Sequence, residues 1–346
     1  MQGPPSQRYK DRLMVTIRDI AELSGVSTAT VSRILNKKGG ASDATVSKVN
    51  AIVKKLGYQP NFVARTLSEQ SSDLVALLVP DLGNPYFADL SGRIEQAADR
   101  RGLHIYLCNS KDERDKVDYY LRFMEGIRVR GAIISSLFVN EEDLTKLNNQ
   151  GIYTLTMDRA CFSHPYSALY VDHRAGGYKA TRYLIQQGSC SHLMFISGPE
   201  QEKSSEDRYA GYLKAITEAG VKPVVKLTTS FSLAGGYQAA KGFLEDHPGS
   251  VDGIFCSDDI MAIGAMRACA DLGIRIPEDM RVFGYDDIEL AEYSVPRLST
   301  VNQLPEDIGE QIMDLFESTV STKGKPQKRS IEPHLVIRDS SQTRGV

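Results

Sequence analysis

Residues Val15–Asn36 read VTIRDIAELSGVSTATVSRILN. Thr16 is placed to cap a helix whose third residue, Asp19, suits the positive end of the helix dipole. Ile17, Ile20, Ala21 and Leu23 then fall at helical spacing. Gly25 closes that helix in a turn, where a positive φ costs a glycine nothing. Ser27 caps a second helix with Val31, Ile34 and Leu35 as its buried stripe. Thr28, Ala29, Ser32 and Arg33 are left outside. Two short helices joined by a tight glycine turn predict a helix-turn-helix.

The outward face explains a composition that helix propensity does not, since Ser and Thr are indifferent helix formers. The leading end of a helix that enters the major groove must carry short side chains. Thr28 and Ala29 are short enough to meet base edges or a thymine methyl. Arg33, four residues after Ala29, shares their face and can pair with guanine. Ser27, Thr30 and Ser32 can donate to phosphates, which fixes register without reading sequence. The competing reading is that these hydroxyls only cap and solvate an ordinary helical pair.

Charge supports the first reading. Residues 1–70 hold 11 Lys and Arg against 5 Asp and Glu, a net of +6. The other 276 residues hold 30 against 39, a net of −9. A basic head on an acidic body predicts a polyanion partner for the head alone. Ser42 caps a third helix, roughly 43–56, with Val46, Val49, Ile52, Val53 and Leu56 inward and Gly57 closing it. The following NFVARTL, 61–67, makes only about two helical turns, too short to hold by itself. It is a natural element to fold on DNA.

Beyond residue 71 the pattern alternates apolar strands with amphipathic helices. LVALLVP (74–80), LHIYLC (103–108), GAIISS (131–136), YTLTMD (153–158) and LYV (169–171) form one series. HLMFISG (192–198), GIFCS (253–257) and RVFGYD (281–286) form another. Helices are expected at 86–101, 114–126, 174–187 and 260–272. Such alternation predicts an α/β core of two doubly wound parallel-sheet lobes, behind the small all-α head. Ligands of such sheets sit in a crevice at the strand C-termini. The polar residues found there are Asp81, Asn84, Tyr86, Phe87, Asp158, Arg159, Arg208, Asp258, Asp286, Asp287 and Gln303. Carboxylates, an amide, arginines and aromatic faces suit a polyhydroxylated ring.

Other classes find little footing. The chain contains no GxxxxGK[ST], GxGxxG, HExxH or GxSxG. The adjacent pairs Asp258–Asp259 and Asp286–Asp287 should point to different faces. No enzyme, metal site or cofactor is therefore expected. Five cysteines without a CxxC pair predict reduced, mostly buried thiols. No apolar run approaches the ~18 residues of a spanning helix, and MQGPPSQRYKDRLM has no apolar core of a secretory signal. A cytoplasmic location is expected, and an exported solute-binding protein with no DNA role is the weaker reading.

VTIRDIAELSGVSTATVSRILN, LGYQPNFVARTL and the two-lobed body together resemble the lactose/galactose repressor (LacI/GalR) family of bacterial transcription regulators, from about residue 14 to 340. The resemblance implies a homodimer on palindromic double-stranded operator DNA. It implies a head over 14–58, a hinge helix and linker over 59–71, and a sugar-binding and dimerisation core over 72–346. Residues 1–13 fall outside it, as a disordered arm. Leu67 matches the family's minor-groove wedge, with Asn61, Ala64 and Arg65 beside it. The DNA-facing set also takes in Thr16, Asn36 and Tyr58. The core resembles periplasmic ribose-binding proteins, whose sugar contacts fall on Asn84, Tyr86, Phe87, Asp158, Arg159, Arg208, Asp286 and Gln303. Asp258 departs from the Asn usual there, exchanging an amide for an acceptor-only carboxylate. A small pentose or hexose effector is expected. The alternative is a phosphorylated carrier-protein corepressor meeting Arg93, Arg100 and Arg101.

Overall fold

The computed structural model describes residues 15–36, 39–58, 72–158, 166–200 and 202–342. The expectations for residues 1–13, for the hinge with Asn61, Ala64, Arg65 and Leu67, and for Arg159 and Cys161 lie outside the described residues. The chain divides into two units, residues 1–71 and 72–346.

The first unit contains helices α1 (Ile17–Ser24), α2 (Thr28–Leu35) and α3 (Asp43–Leu56). Thr16 and Asp19 form a reciprocal capping box on α1, and Ser27 and Ser42 each cap their helix by accepting the N–H of its third residue. Gly25 and Gly57 close α1 and α3 at φ 70° and 62°. Ile20, Ala21, Val31, Ile34 and Val49 form the core, with Ile17, Val46, Ile52, Val53 and Leu56 half-buried against it. Leu35, expected in the buried stripe, is only half-buried because it sits on the last turn of α2. Neither α1 nor α2, at eight residues each, is long enough to be stable alone. Packing against α3 is what holds them.

The second unit alternates as the sequence predicts. It runs β1 (Leu74–Val79), α4 (Pro85–Asp99), β2 (His104–Asn109), α5 (Arg114–Ile127), β3 (Gly131–Ile134), α6 (Glu141–Asn149), β4 (Tyr153–Met157) and β5 (Ser167–Val171). Then come α7 (His173–Gln186), β6 (Leu193–Ser197), α8 (Lys203–Ala219), β7 (Pro223–Thr228), α9 (Leu233–Asp246), β8 (Gly253–Cys256), α10 (Asp259–Asp271) and β9 (Arg281–Phe283). The last elements are α11 (Glu289–Tyr293), β10 (Thr300–Asn302), α12 (Ile308–Ser321), β11 (Lys328–Ile331) and β12 (His334–Val336).

One lobe is a six-stranded sheet in the order β11-β5-β4-β3-β1-β2, with every pair parallel. The other is a four-stranded parallel sheet, β7-β6-β8-β9. The antiparallel pair β10-β12 extends it through bridges from Phe283 to Ser299 and from Asp286 to Asn302. The chain thus passes between lobes three times: from β5 into α7, from β10 into α12, and from β11 into β12. Strands β6 and β8 are buried at every residue and β1 at all but its first. Helices cover both faces, so these strands read as unbroken apolar runs.

Helices α7 and α8 approach so closely that a Cβ on Gly177 would overlap the backbone carbonyl of Arg208, and one on Gly211 that of Arg174. A methyl at Gly177 can be accommodated only by moving α8 away, because its obstacle is backbone. Gly177→Ala should therefore cost about 1–3 kcal/mol, the usual penalty of overpacking. Chemical denaturation of the two proteins measures it. An unchanged midpoint would show that α8 can slide freely.

Candidate functional site

In the first unit Thr28, Ala29 and Arg33 are exposed on one face of α2, opposite Val31 and Ile34. That is the amphipathic division the sequence predicts. The hydroxyls around them are partly engaged already. The Ser27 and Thr30 hydroxyls bond each other at 2.9 Å, while Ser27 Oγ accepts the Thr30 N–H at 3.1 Å. Thr16 Oγ1 donates to Asp19 at 2.7 Å, so its chief role is to fix the start of α1. Asn36 forms the C-cap of α2 and its amide reaches Ser32 Oγ at 3.4 Å. Tyr58 rests half-buried against the core of the unit.

In the second unit a cavity of about 360 Å³ opens where the strand C-termini of the two lobes face each other. Its walls follow directly from the strand ends. Pro80 and Asp81 follow β1, Lys111 and Asp112 follow β2, Ser135 follows β3, Asp158 follows β4 and His173 follows β5. From the opposite side come Pro199 after β6, Ser230 and Phe231 after β7, Asp258 after β8, Asp286 after β9 and Gln303 after β10. Asn84, Tyr86 and Phe87 enter on the first turn of α4, and Arg208 on α8.

Arg208 ties the walls together. It is 5% exposed. Its Nη1 donates to the Ser257 carbonyl, and its Nε donates to His173 Nδ1 at 3.3 Å. Its Nη2 lies 3.7 Å from Asp286 Oδ1, and the guanidinium sits 3.8 Å above the Tyr285 ring centroid. Because Nδ1 of His173 accepts, the imidazole proton belongs on Nε2, which faces Asp158 Oδ1 at 3.6 Å. Burial and the neighbouring Arg208 both push the His173 pKa down, so the ring is held neutral.

The carboxylates differ in their support. Burial acts to raise Asp158, but His173, the Val171 N–H at 2.9 Å and Arg208 outweigh it and hold the group below its ordinary range. Asp258 caps α10 by accepting the Met261 N–H at 2.7 Å through Oδ1. Its Oδ2 is buried without a partner, and burial raises the group to about 6 against the pull of that N–H and of Arg208. Asp286 accepts from Gln303 Nε2 at 2.6 Å and is also pushed up, by burial first, with Asp258 adding to the rise and Arg208 opposing it. Gln303 Oε1 and His173 Nε2 are buried without hydrogen-bond partners. Unpaired buried polar atoms are costly, and these three at one cavity leave hydrogen-bonding capacity for water or a ligand.

Eight of the nine sugar-facing residues expected from sequence line this cavity; Arg159 is the residue outside the described set. The adjacent acids part as expected. Asp287 turns to Arg338 at 2.8 Å and to Asn302 at 2.8 Å, and Asp259 takes the Thr300 hydroxyl at 2.5 Å and the Ile288 N–H at 2.9 Å. Lys111, Asp112, Ser135, His173, Glu202, Ser204, Ser230 and Phe231 escaped the sequence reading. Position directly after a strand was the signal that could have found most of them. The arginines of the corepressor reading are occupied. Arg93 pairs with Asp89, Arg100 with Glu310, and Arg101 with Glu310, Asp314 and Glu317. Among the described residues no group of three or more His, Cys, Asp or Glu is arranged for a metal, and no helix is long and apolar enough to cross a membrane.

Residues 16–61 match the pattern of the bacterial regulatory proteins of the lacI family, and residues 181–341 that of the periplasmic binding protein-like domain. The ribose operon repressor of Halalkalibacterium halodurans is 35% identical over 330 residues, 95% of this chain and 98% of the relative. The HTH-type transcriptional repressor PurR of Histophilus somni is 31% identical over 334 residues, 95% of this chain and 100% of the relative. A LacI family transcriptional regulator from Enterococcus faecium, solved with bound ribose, superposes with a TM-score of 0.70 at 26% identity, covering 78% of this chain and 98% of that one. The chain belongs to the lacI family of bacterial transcription regulators. It is a DNA-binding transcriptional repressor of that family, whose members are not enzymes.

Removing the cation alone tests the charge network. Arg208→Met keeps the volume but leaves Asp286 and Asp258 as unpaired buried acids, so about 3–5 kcal/mol of stability should be lost near pH 7.5. Both acids have folded pKa values above their unfolded ones, so a falling pH neutralises them in the fold first. The deficit relative to wild type should therefore shrink toward pH 5 in denaturant titrations. An equal deficit at both pH values would assign the loss to packing.

Proposed function

We propose that this repressor is a homodimer that reads a palindromic operator through α2 and responds to a small sugar held between the lobes of its core. The observation that carries the effector reading is the wall of the cavity. Hydrogen-bonding carboxylates and amides stand on strand ends, and Tyr86 and Phe87, 4.9 Å apart edge to face, offer apolar surface for C–H groups. A polyol ring presents both kinds of surface at once. The volume falls at the low end of small-molecule sites. The ribose operon repressor and the ribose-bound regulator among the relatives favour a pentose or hexose.

On the DNA side, Thr28, Ala29 and Arg33 take the base-reading role, with Ser27, Thr30 and Ser32 at the phosphates and Thr16, Asn36 and Tyr58 supporting the head. Leu67, with Asn61, Ala64 and Arg65, is assigned to the minor groove on family resemblance. Sugar binding and operator binding are coupled reciprocally, each altering the affinity for the other by the same factor. A protein corepressor is the weaker reading, because Arg93, Arg100 and Arg101 already hold carboxylates. Each lobe leaves apolar side chains in water, Leu107 and Tyr119 on one and Leu290, Tyr293 and Val295 on the other. This supports a second copy of the chain as a partner.

Arg33→Ala should weaken binding to a palindromic operator by about 1–3 kcal/mol, with the loss confined to one guanine position per half-site. Gel shifts on a set of operators with single-base changes measure this. Equal affinity of both proteins for every operator would remove Arg33 from the base contacts. For the effector, calorimetry with a panel of sugars and sugar phosphates should find a ligand for the wild type, with binding lost in Asp286→Ala. A panel with no binder at all would overturn the sugar reading.

A further inference from the structure

Among the described residues the cavity is acceptor-rich and anionic, and the two cations there are already engaged. Of its described lining residues six are carboxylates and two are cations. The guanidinium of Arg208 is bound on three sides, to a carbonyl, an imidazole and Asp286, with its face on an aromatic ring. Lys111 stands 3.5 Å from Asp81. Two of the three buried atoms without a partner, Asp258 Oδ2 and Gln303 Oε1, can only accept hydrogen bonds. The third, His173 Nε2–H, already faces Asp158. Asp258 and Gln303 are each 1% exposed, so water does not screen them.

We propose that this cavity selects an uncharged, hydroxyl-donating sugar and rejects its phosphorylated or carboxylated derivatives, and that Asp258 is the residue that sets this selection. The inference rests on the sugar reading and narrows it. Hydroxyls of a neutral sugar donate to Asp258 Oδ2 and Gln303 Oε1 and satisfy both. A phosphate brings only acceptors and further negative charge. It meets Asp258, Asp286 and Asp158 across a low-dielectric cavity, where like charges repel far more than in water. Asp258 is placed to decide the outcome because it lines the cavity with its Oδ1 committed to the Met261 N–H, which leaves Oδ2 as the oxygen still able to accept a ligand hydroxyl. An Asn there can keep the cap through Oδ1 and turn an N–H₂ donor to the ligand. The same position would then carry no charge and would offer a hydrogen bond to an anion.

The test is calorimetry on the full chain with matched pairs: D-ribose and D-ribose 5-phosphate, D-glucose and D-glucose 6-phosphate, D-fructose and D-fructose 6-phosphate. The wild type should bind one neutral sugar at least about tenfold more tightly than its phosphate. Asp258→Asn should narrow that ratio by at least about tenfold; each tenfold step is ~1.4 kcal/mol. A thermal melt of the variant checks that the α10 cap is intact. A phosphate binding as tightly as its parent sugar in the wild type would overturn the proposal and leave the sugar reading standing. A ratio unchanged in a folded Asp258→Asn would remove Asp258 from the selection. No binding by either member of any pair would overturn the sugar reading and this proposal together.

Discussion

The buried guanidinium of Arg208 is the contact on which the cavity between the core lobes depends. Three carboxylates, the buried Asp258 and Asp286 and the half-buried Asp158, line the same cavity, and anions so placed are costly to hold together without a counter-charge. Arg208 supplies it while crossing from α8 to the ends of β8 and β9, and to His173 after β5. Its position is set in turn by backbone. Gly177 lets α7 lie directly on the carbonyl of Arg208, and no residue with a Cβ permits that approach. A small residue on one helix therefore fixes a charged one on the next, and the charged one organises the acids.

The head follows a different logic. Its three helices have little intrinsic stability, and their caps and small core hold them. The cap hydroxyls bond within their own helix starts, so the face that carries Thr28, Ala29 and Arg33 is rigidly presented without spending those side chains on the fold. The stretch VSTATVSRIL, 26–35, thus serves two ends at once. Some of its hydroxyls build the helix start, and the short residues beside them leave room for a partner.

How much was legible follows from which interactions are local. The strands with unbroken apolar runs, β1, β3, β6 and β8, were read directly, since burial on both faces leaves no ambiguity of period. The helices of the head were read because caps and glycine stops are written within a few residues. The sequence pattern does not single out helices α6, α8, α9, α11 and α12 or strands β7, β10, β11 and β12. Strand β7, PVVKLT, has no fully buried residue, and β11 reads as KRSI with only Ile331 buried. Their strand character comes from pairing with neighbours far along the chain, as in the register of Arg329 beside Leu169. His173 was overlooked for the same reason: nothing beside it in sequence sets it apart, and its role arises from Arg208, Tyr285 and Asp158 arriving from elsewhere.

The backbone around the cavity is held by contacts within the protein itself. Lys111, Asp112, Asp158 and Asp286 all carry positive φ, between 46° and 117°, without being glycine. Such conformations cost about 1–2 kcal/mol each for an L-residue. They persist because the surroundings over-determine them. Asp158 N–H donates to the Leu169 carbonyl at 3.0 Å while its side chain takes the Val171 N–H, and Asp286 N–H donates to the Val301 carbonyl at 2.9 Å. Both acids are thereby locked into neighbouring strands of their own lobe, and each points where it does because its backbone has no other choice. Any rearrangement of these two residues would have to break those strand contacts first. Movement of whole lobes about the three connecting segments would break none of these bonds.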